Sequence, residues 1–205
     1  MTSPTPKDVL AYWFGALDGP LDFPKDKNAL WWSGGASIDA EIRERFGSLV
    51  EQALVGGLTE WEAAPNTRLA LVLVLDQFTR SIGRGTPRAF AGDARAQKLV
   101  LGAIEQGLDE DLRPIERAFL YMPLMHAEDR TLAKKSLEMF AEVSRVVAKA
   151  GVEGYPDFVE HAIGHAKIVE RFGRYPHRNR ILGRDSTPEE QAYLADGAPS
   201  FGQGK

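Results

Sequence analysis

The sequence predicts an all-α fold, a single domain of about seven to nine packed antiparallel helices, because apolar residues recur with the 3.6-residue helical period in one segment after another. Two further observations agree. No stretch alternates apolar with polar residues or carries an Asn-Gly hairpin signal. Glycine and proline punctuate the periodic segments where helices start or stop.

Residues 18–32 contain Pro20, Pro24 and the Trp31-Trp32 pair, and read as an ordered loop pinned to the core by its indoles. From Ala36 to Leu54, the residues Ile38, Ile42, Phe46, Leu49 and Ala53 form one stripe opposite Asp39, Glu41, Arg43 and Glu44, and Gly56-Gly57 ends the helix. The apolar run 69–75 has the composition of a buried strand, yet it has no partner strand. Residues 68–80 are therefore read as a central helix.

Residues 94–106 repeat the pattern through Leu99, Val100, Ala103 and Ile104, and Gly107 closes it. Residues 115–126 are apolar nearly all round, as in a buried helix, and Pro123 is expected to kink or end it. Residues 131–150 are amphipathic through Leu132, Leu137, Phe140, Val143 and Val147, with Gly151 behind them. A further helix is expected over 156–172. Thr187-Pro188-Glu189-Glu190 opens a short last helix running to about Leu194. The domain is assigned to 1–195 and a flexible tail to 196–205.

A chain of 205 residues buries enough surface to fold without a disulfide or structural metal. Its 25 Lys and Arg against 29 Asp and Glu give a net charge of −4, which argues against a generic grip on nucleic acid or on an anionic membrane. The absence of cysteine excludes thiolate ligands and a cysteine nucleophile, and suits a reducing compartment, with cytoplasm the expectation. Residues 1–10 lack the basic and apolar regions of a signal peptide, and no apolar run is long enough to span a bilayer.

Chemistry is suggested at several points. Helical phase puts Leu69, Val72, Leu73, Asp76 and Arg80 on one face, so an apolar stripe leads into an acid and a base four residues apart. This is either an internal ion pair that fixes packing or part of a site. His165 shares the inward stripe of Phe158, Ala162, Val169 and Phe172, with His161 beside it. Two histidines are too few for a metal site, and no metal ligand is assigned. His126 lies on the apolar face with Ile115, Phe119 and Met122, followed by Glu128-Asp129. These carboxylates serve either as its acid-base partners or as the N-cap of the next helix.

The strongest anomaly is the segment 171–184, with five arginines, one histidine and no lysine in fourteen residues of a net acidic chain. Planar guanidinium groups suit carboxylate or phosphate recognition. Arg80, Arg84 and Arg88 surround a second loop with Gly83 and Gly85, whose amides are available to an anion. The plainer alternative is that both sets tie loops to helix C-termini and to buried acids such as Asp76, Asp93 and Glu116.

Leu75-Asp76-Gln77-Phe78-Thr79-Arg80, then 84–91, then Glu116 to Leu124, His126-Ala127-Glu128-Asp129, and 171–190, together with the opening 9–15 and Trp31-Trp32, resemble the domain of unknown function 924 family over nearly the whole chain. The resemblance implies a right-handed helical array akin to tetratricopeptide repeats, chiefly bacterial, with no established activity. His165 stands where the family pattern has a histidine, whereas His161 does not match. Thr79 and Ser81 replace the family's usual Pro and Asn.

The resulting expectation is a polar pocket for a small anionic ligand. Asp76, Arg80, Arg84, Arg88, Glu116, Arg171, Arg174, His177, Arg178, Asn179 and Arg184 are its candidate binding residues. His126 or His165 is the candidate general base, and Arg174 or Arg178 the charge stabiliser, a set compatible with hydrolysis of a phosphate or carboxylic ester. The cofactor and the oligomeric state are both left open. The competing expectation is a helical scaffold that binds a protein or peptide segment.

Overall fold

The computed structural model describes residues 3–203. Among these, nine α-helices and no strand occur: α1 (Pro6–Phe14), α2 (Ala36–Leu54), α3 (Pro65–Leu73), α4 (Thr79–Ile82), α5 (Asp93–Glu105), α6 (Pro114–Met125), α7 (Arg130–Lys149), α8 (Phe158–Phe172) and α9 (Pro188–Ala195). The all-α expectation is met. Met1, Thr2 and the last two residues of the expected tail lie outside the described residues.

Local sequence explains most boundaries. Thr5 and Asp8 form a capping box ahead of Pro6, and Thr187 and Glu190 form another ahead of Pro188. The helix expected from Pro156 starts at Phe158, because the Asp157 side chain accepts from the amides of Val159 and Glu160. Gly173, left-handed at φ 72°, ends α8 and turns the chain into the arginine-rich segment.

The central rod departs from a simple helix. α3 continues through a π-helical turn, Val74–Phe78, into α4. All seven residues from Leu69 to Leu75 are 0% exposed, so truncating any of its leucines to Ala is expected to cost about 2–5 kcal/mol. Periodicity gives no sign of a π turn, which inserts one residue into the hydrogen-bonding ladder and re-aims the side chains beyond it. Asp76 lies within it.

α2 packs against the π turn and α4, α1 against α3, and α5 against α3 and α6. α6, α7 and α8 form consecutive packed pairs. Pro123 is tolerated inside α6, which runs only to Met125 before His126 caps it. Of the two indoles expected to pin the early loop, Trp31 is buried and donates Nε1–H to the Trp13 carbonyl at 3.0 Å. Trp32 is 51% exposed, with its ring 6.0 Å from that of buried Phe119 and 6.3 Å from that of Phe158.

A second, smaller apolar cluster of Ala133, Ile168, Val169 and Tyr175 sits beside the main core. The polar residues of interest lie around it. No helix among the described residues is long and apolar enough to cross a membrane.

Candidate functional site

Asp76 is 1% exposed, and its carboxylate meets Arg80 Nη1 at 3.0 Å and His126 Nδ1 at 2.9 Å. Burial alone would raise the pKa of Asp76, but the attached cation outweighs it and holds the carboxyl well below the usual range. Arg80 is the foremost source of that charge, and burial together with the Arg80 and Arg178 cations lowers the His126 pKa despite Asp76, which favours the neutral ring. Neutral His126 therefore donates from Nδ1 to Asp76 and keeps a lone pair on Nε2. Among the described residues nothing hydrogen-bonds to Nε2, and 15% of the side chain stays exposed.

Arg80 also makes a bidentate pair with Asp93 at 2.9 and 3.1 Å. Arg178, 6% exposed, approaches the same Asp93 only to 3.6 Å. It donates to the His126 carbonyl at 3.0 Å, and its guanidinium lies between the Phe90 and Tyr175 rings, 4.6 and 4.4 Å from their centroids. Its Nε–H is buried without a partner. Burial, reinforced by Arg80, pushes its pKa down to about 10. Arg178 is thus the loosely satisfied cation of the cluster.

His165 donates Nδ1–H to the His161 carbonyl at 2.8 Å, and its ring lies 6.1 Å from that of His126 and 5.9 Å from that of Tyr175. Burial pushes its pKa down to about 4, and that of His177 down to about 3. Tyr175 is fully buried, donating its hydroxyl to the Met125 carbonyl. The chain thus brings Asp76, Arg80, His126, His165, His177 and Arg178 together from the π turn, α4, the end of α6, α8 and the segment after it.

The remaining candidates are engaged elsewhere. Arg84 pairs with Asp39 at 2.6 and 2.8 Å, Arg88 with Glu51, and Arg171 with Glu189. Arg174 is bidentate to Glu190, which also accepts from Asn179, and Arg184 is bidentate to Glu128. Glu116 accepts from the amide of Arg113 at the N-terminus of α6. It therefore lies about 15 Å along the helix from His126, at the rise expected of ten helical residues, and borders a separate groove with Lys7, Leu10 and Arg113. The expected arginine-lined pocket contracts to Arg178, since the other candidate guanidinium groups meet internal carboxylates and Glu116 sits at the far end of α6.

Two open alternatives are resolved. Asp129 is the N-cap of α7, and Glu128 joins Arg184 and the Tyr175 amide rather than His126. In the Gly83 loop the amides of Gly83 and Thr86 donate to the carbonyls of Thr79 and Gly83, so the Gly83 amide is engaged within the fold. His161 stacks near exposed Trp32 and makes no pair with His165 beyond its carbonyl. Among the described residues no cluster of three or more His, Asp or Glu is arranged to hold a metal ion.

Sequence reasoning missed Phe201. Residues 196–203, expected to be a flexible end, lie across this cluster, with the Phe201 ring 4.2 Å from that of His165 and 5.3 Å from that of His177. A tail rich in small residues gives no contact signal of its own, and the one aromatic in it is the feature that could have pointed to this contact.

A solved structure of a protein of unknown function from Agrobacterium tumefaciens is similar, with a TM-score of 0.78 and 32% identity over 94% of this chain and 97% of that one. The search of curated proteins finds no match. The family model described as bacterial protein of unknown function (DUF924) matches residues 9–198, and the chain belongs to that family.

Proposed function

We propose that the protein binds a small molecule with an anionic group at the imidazole cluster, and that His126 is the acid-base group there. The observation that carries this reading is the Asp76–His126 pair, in which a buried carboxylate fixes Nδ1 and leaves Nε2 without a hydrogen-bond partner among the described residues. An imidazole held in this tautomer takes a proton from water or a hydroxyl and later returns it. The unpartnered Nε–H of Arg178 supports an anionic group on the ligand. Hydrolysis of a phosphate or carboxylic ester fits these roles.

The test is calorimetric titration of the full chain with inorganic phosphate, phenyl phosphate, acetate and benzoate, repeated with His126→Gln and Arg178→Gln. Binding by the parent that both folded variants lose supports the reading. Equal responses from all three proteins, or none from any, reject it.

A further inference from the structure

Resting on the binding site proposed above, we infer that residues 197–203 are a displaceable strap whose Phe201 ring occupies the seat of an aromatic ring on the ligand.

Three independent features argue for this. The first is the seat itself. Phe201 lies against His165 at 4.2 Å with a 34° tilt, against His177 at 5.3 Å, and edge-on to Tyr175 at 6.2 Å. Two imidazoles and a phenol make a cage for a flat ring, since aromatic groups prefer offset or edge-to-face neighbours at these separations. Phe201 nevertheless leaves 42% of its surface in solvent, so its burial is partial.

The second is strain. Phe201 has φ 49°, in the left-handed region that a bulky residue adopts only at a cost, and glycines at φ 80° and 74°, Gly197 and Gly202, stand on either side. The chain bends out of its preferred geometry to bring this ring down. Lifting the strap releases that strain, and Gly197 supplies a pivot.

The third is how lightly the strap is tied among the described residues. Arg84 donates to the Gly202 carbonyl at 2.6 Å, and Gln203 Nε2 reaches the Arg80 carbonyl at 3.4 Å. The Gln203 amide bonds within its own turn, to Ser200, and its buried Oε1 has no partner. No regular element includes these residues. Gln203 is buried, but segments held by few hydrogen bonds open at low free-energy cost.

Pro199 and Phe201 of the strap also form one wall of a groove of about 400 Å³ that His165, Phe172 and Tyr193 share, with Lys167 at its edge. Raising Phe201 joins this groove to the imidazoles. A flat ring in the cage then carries its acidic group toward Arg178, and the ligand class is a planar aromatic acid or aryl phosphate.

The experiment compares the full-length parent with Phe201→Ala and Phe201→Tyr, each checked for native helicity. Carbethoxylation of His165 and His177, followed by mass spectrometry, is expected to accelerate several-fold in Phe201→Ala and to stay at the parental rate in Phe201→Tyr. His161, already exposed, serves as the internal control. Phenyl phosphate is expected to bind Phe201→Ala more tightly than the parent, because the parent must first lift its own ring. In the parent, its binding moves the Gly202 and Gln203 amide resonances to random-coil positions. Unchanged carbethoxylation, or phosphate binding with no displacement of those amides by phenyl phosphate, overturns the strap while the site stands. Failure of every probe to bind either protein removes the site, and the inference with it.

Discussion

Asp76 Oδ1 lies 2.9 Å from His126 Nδ1, a contact between side chains fifty positions apart that joins the π turn to the C-terminal end of α6. Each partner needs the other: the carboxylate has a buried donor, and the imidazole has a fixed tautomer. Asp76→Asn keeps the shape and removes the charge, so Arg80 retains the Asp93 carboxylate and the Asp76 carbonyl. Loss of one member of a buried charge network costs about 3–5 kcal/mol, and the surviving Asp93 pair places this variant at the low end. Urea denaturation checks it. Arg171→Ala, which breaks a pair whose side chains are 53% and 61% exposed, is expected to cost no more than about 1 kcal/mol.

Acid sensitivity should begin well above the carboxylate range. His165 has a folded pKa near 4 and His177 near 3, both below the ordinary imidazole value, and His126 is depressed as well. Between the unfolded and folded pKa values the unfolded chain binds more protons, so stability rises with pH there and is lost as pH falls from about 6.5 toward 4. Glu190, held to about 2 chiefly by its hydrogen bond from Arg174, acts in the same direction but only below its unfolded value, from about 4.5 downward. Melting temperature should therefore fall between pH 7 and pH 5. His165→Gln should flatten that slope, and a flat parental profile over this range would refute the burial argument.

Much of the fold was legible because helix formation here is local. The stripe from Ile38 to Ala53 gave α2 its observed boundaries, and Thr187-Pro188 gave α9 its start. The site was less legible for a physical reason. Arginine composition signals guanidinium chemistry, but not whether Glu128, Glu190 or Asp39 will arrive to neutralise it from another part of the chain. Inward phase correctly marked Asp76, His126 and His165, because burial follows periodicity. Pairing over long sequence separations does not. Nor does phase reveal the π turn, whose extra residue leaves the apolar run 69–75 unchanged.

Gly92 is predicted to be indispensable for spacing rather than for backbone freedom. A Cβ built there collides with the Leu75 carbonyl, so a side chain of any size separates the start of α5 from the central rod. Asp93 is the next residue, and its grip on Arg80 depends on that approach. Gly92→Ala should destabilise by about 1–3 kcal/mol through overpacking. It should also raise the reactivity of the His126 cluster toward carbethoxylation, because Arg80 shifts. Gly85→Ala, open on the Cβ side but at φ 73°, should cost only the left-handed penalty of about 1–2 kcal/mol and leave that reactivity alone.

Arg178 provides the sharpest test of what a single cation contributes, because charge and shape separate cleanly there. Its planar group fits between Phe90 and Tyr175 while Nη2 reaches the His126 carbonyl. Lysine keeps a positive charge but is neither flat nor forked, so Arg178→Lys forfeits the stack on both rings. The loss should be about 1–2 kcal/mol at a desolvated site. Arg178→Met removes the charge while retaining a flexible apolar chain. Because the guanidinium is poorly compensated, with burial and Arg80 both working against it, Met should be tolerated as well as or better than Lys. A ranking of Lys clearly above Met in denaturation would mean that the charge itself, through Asp93, holds this part of the fold together.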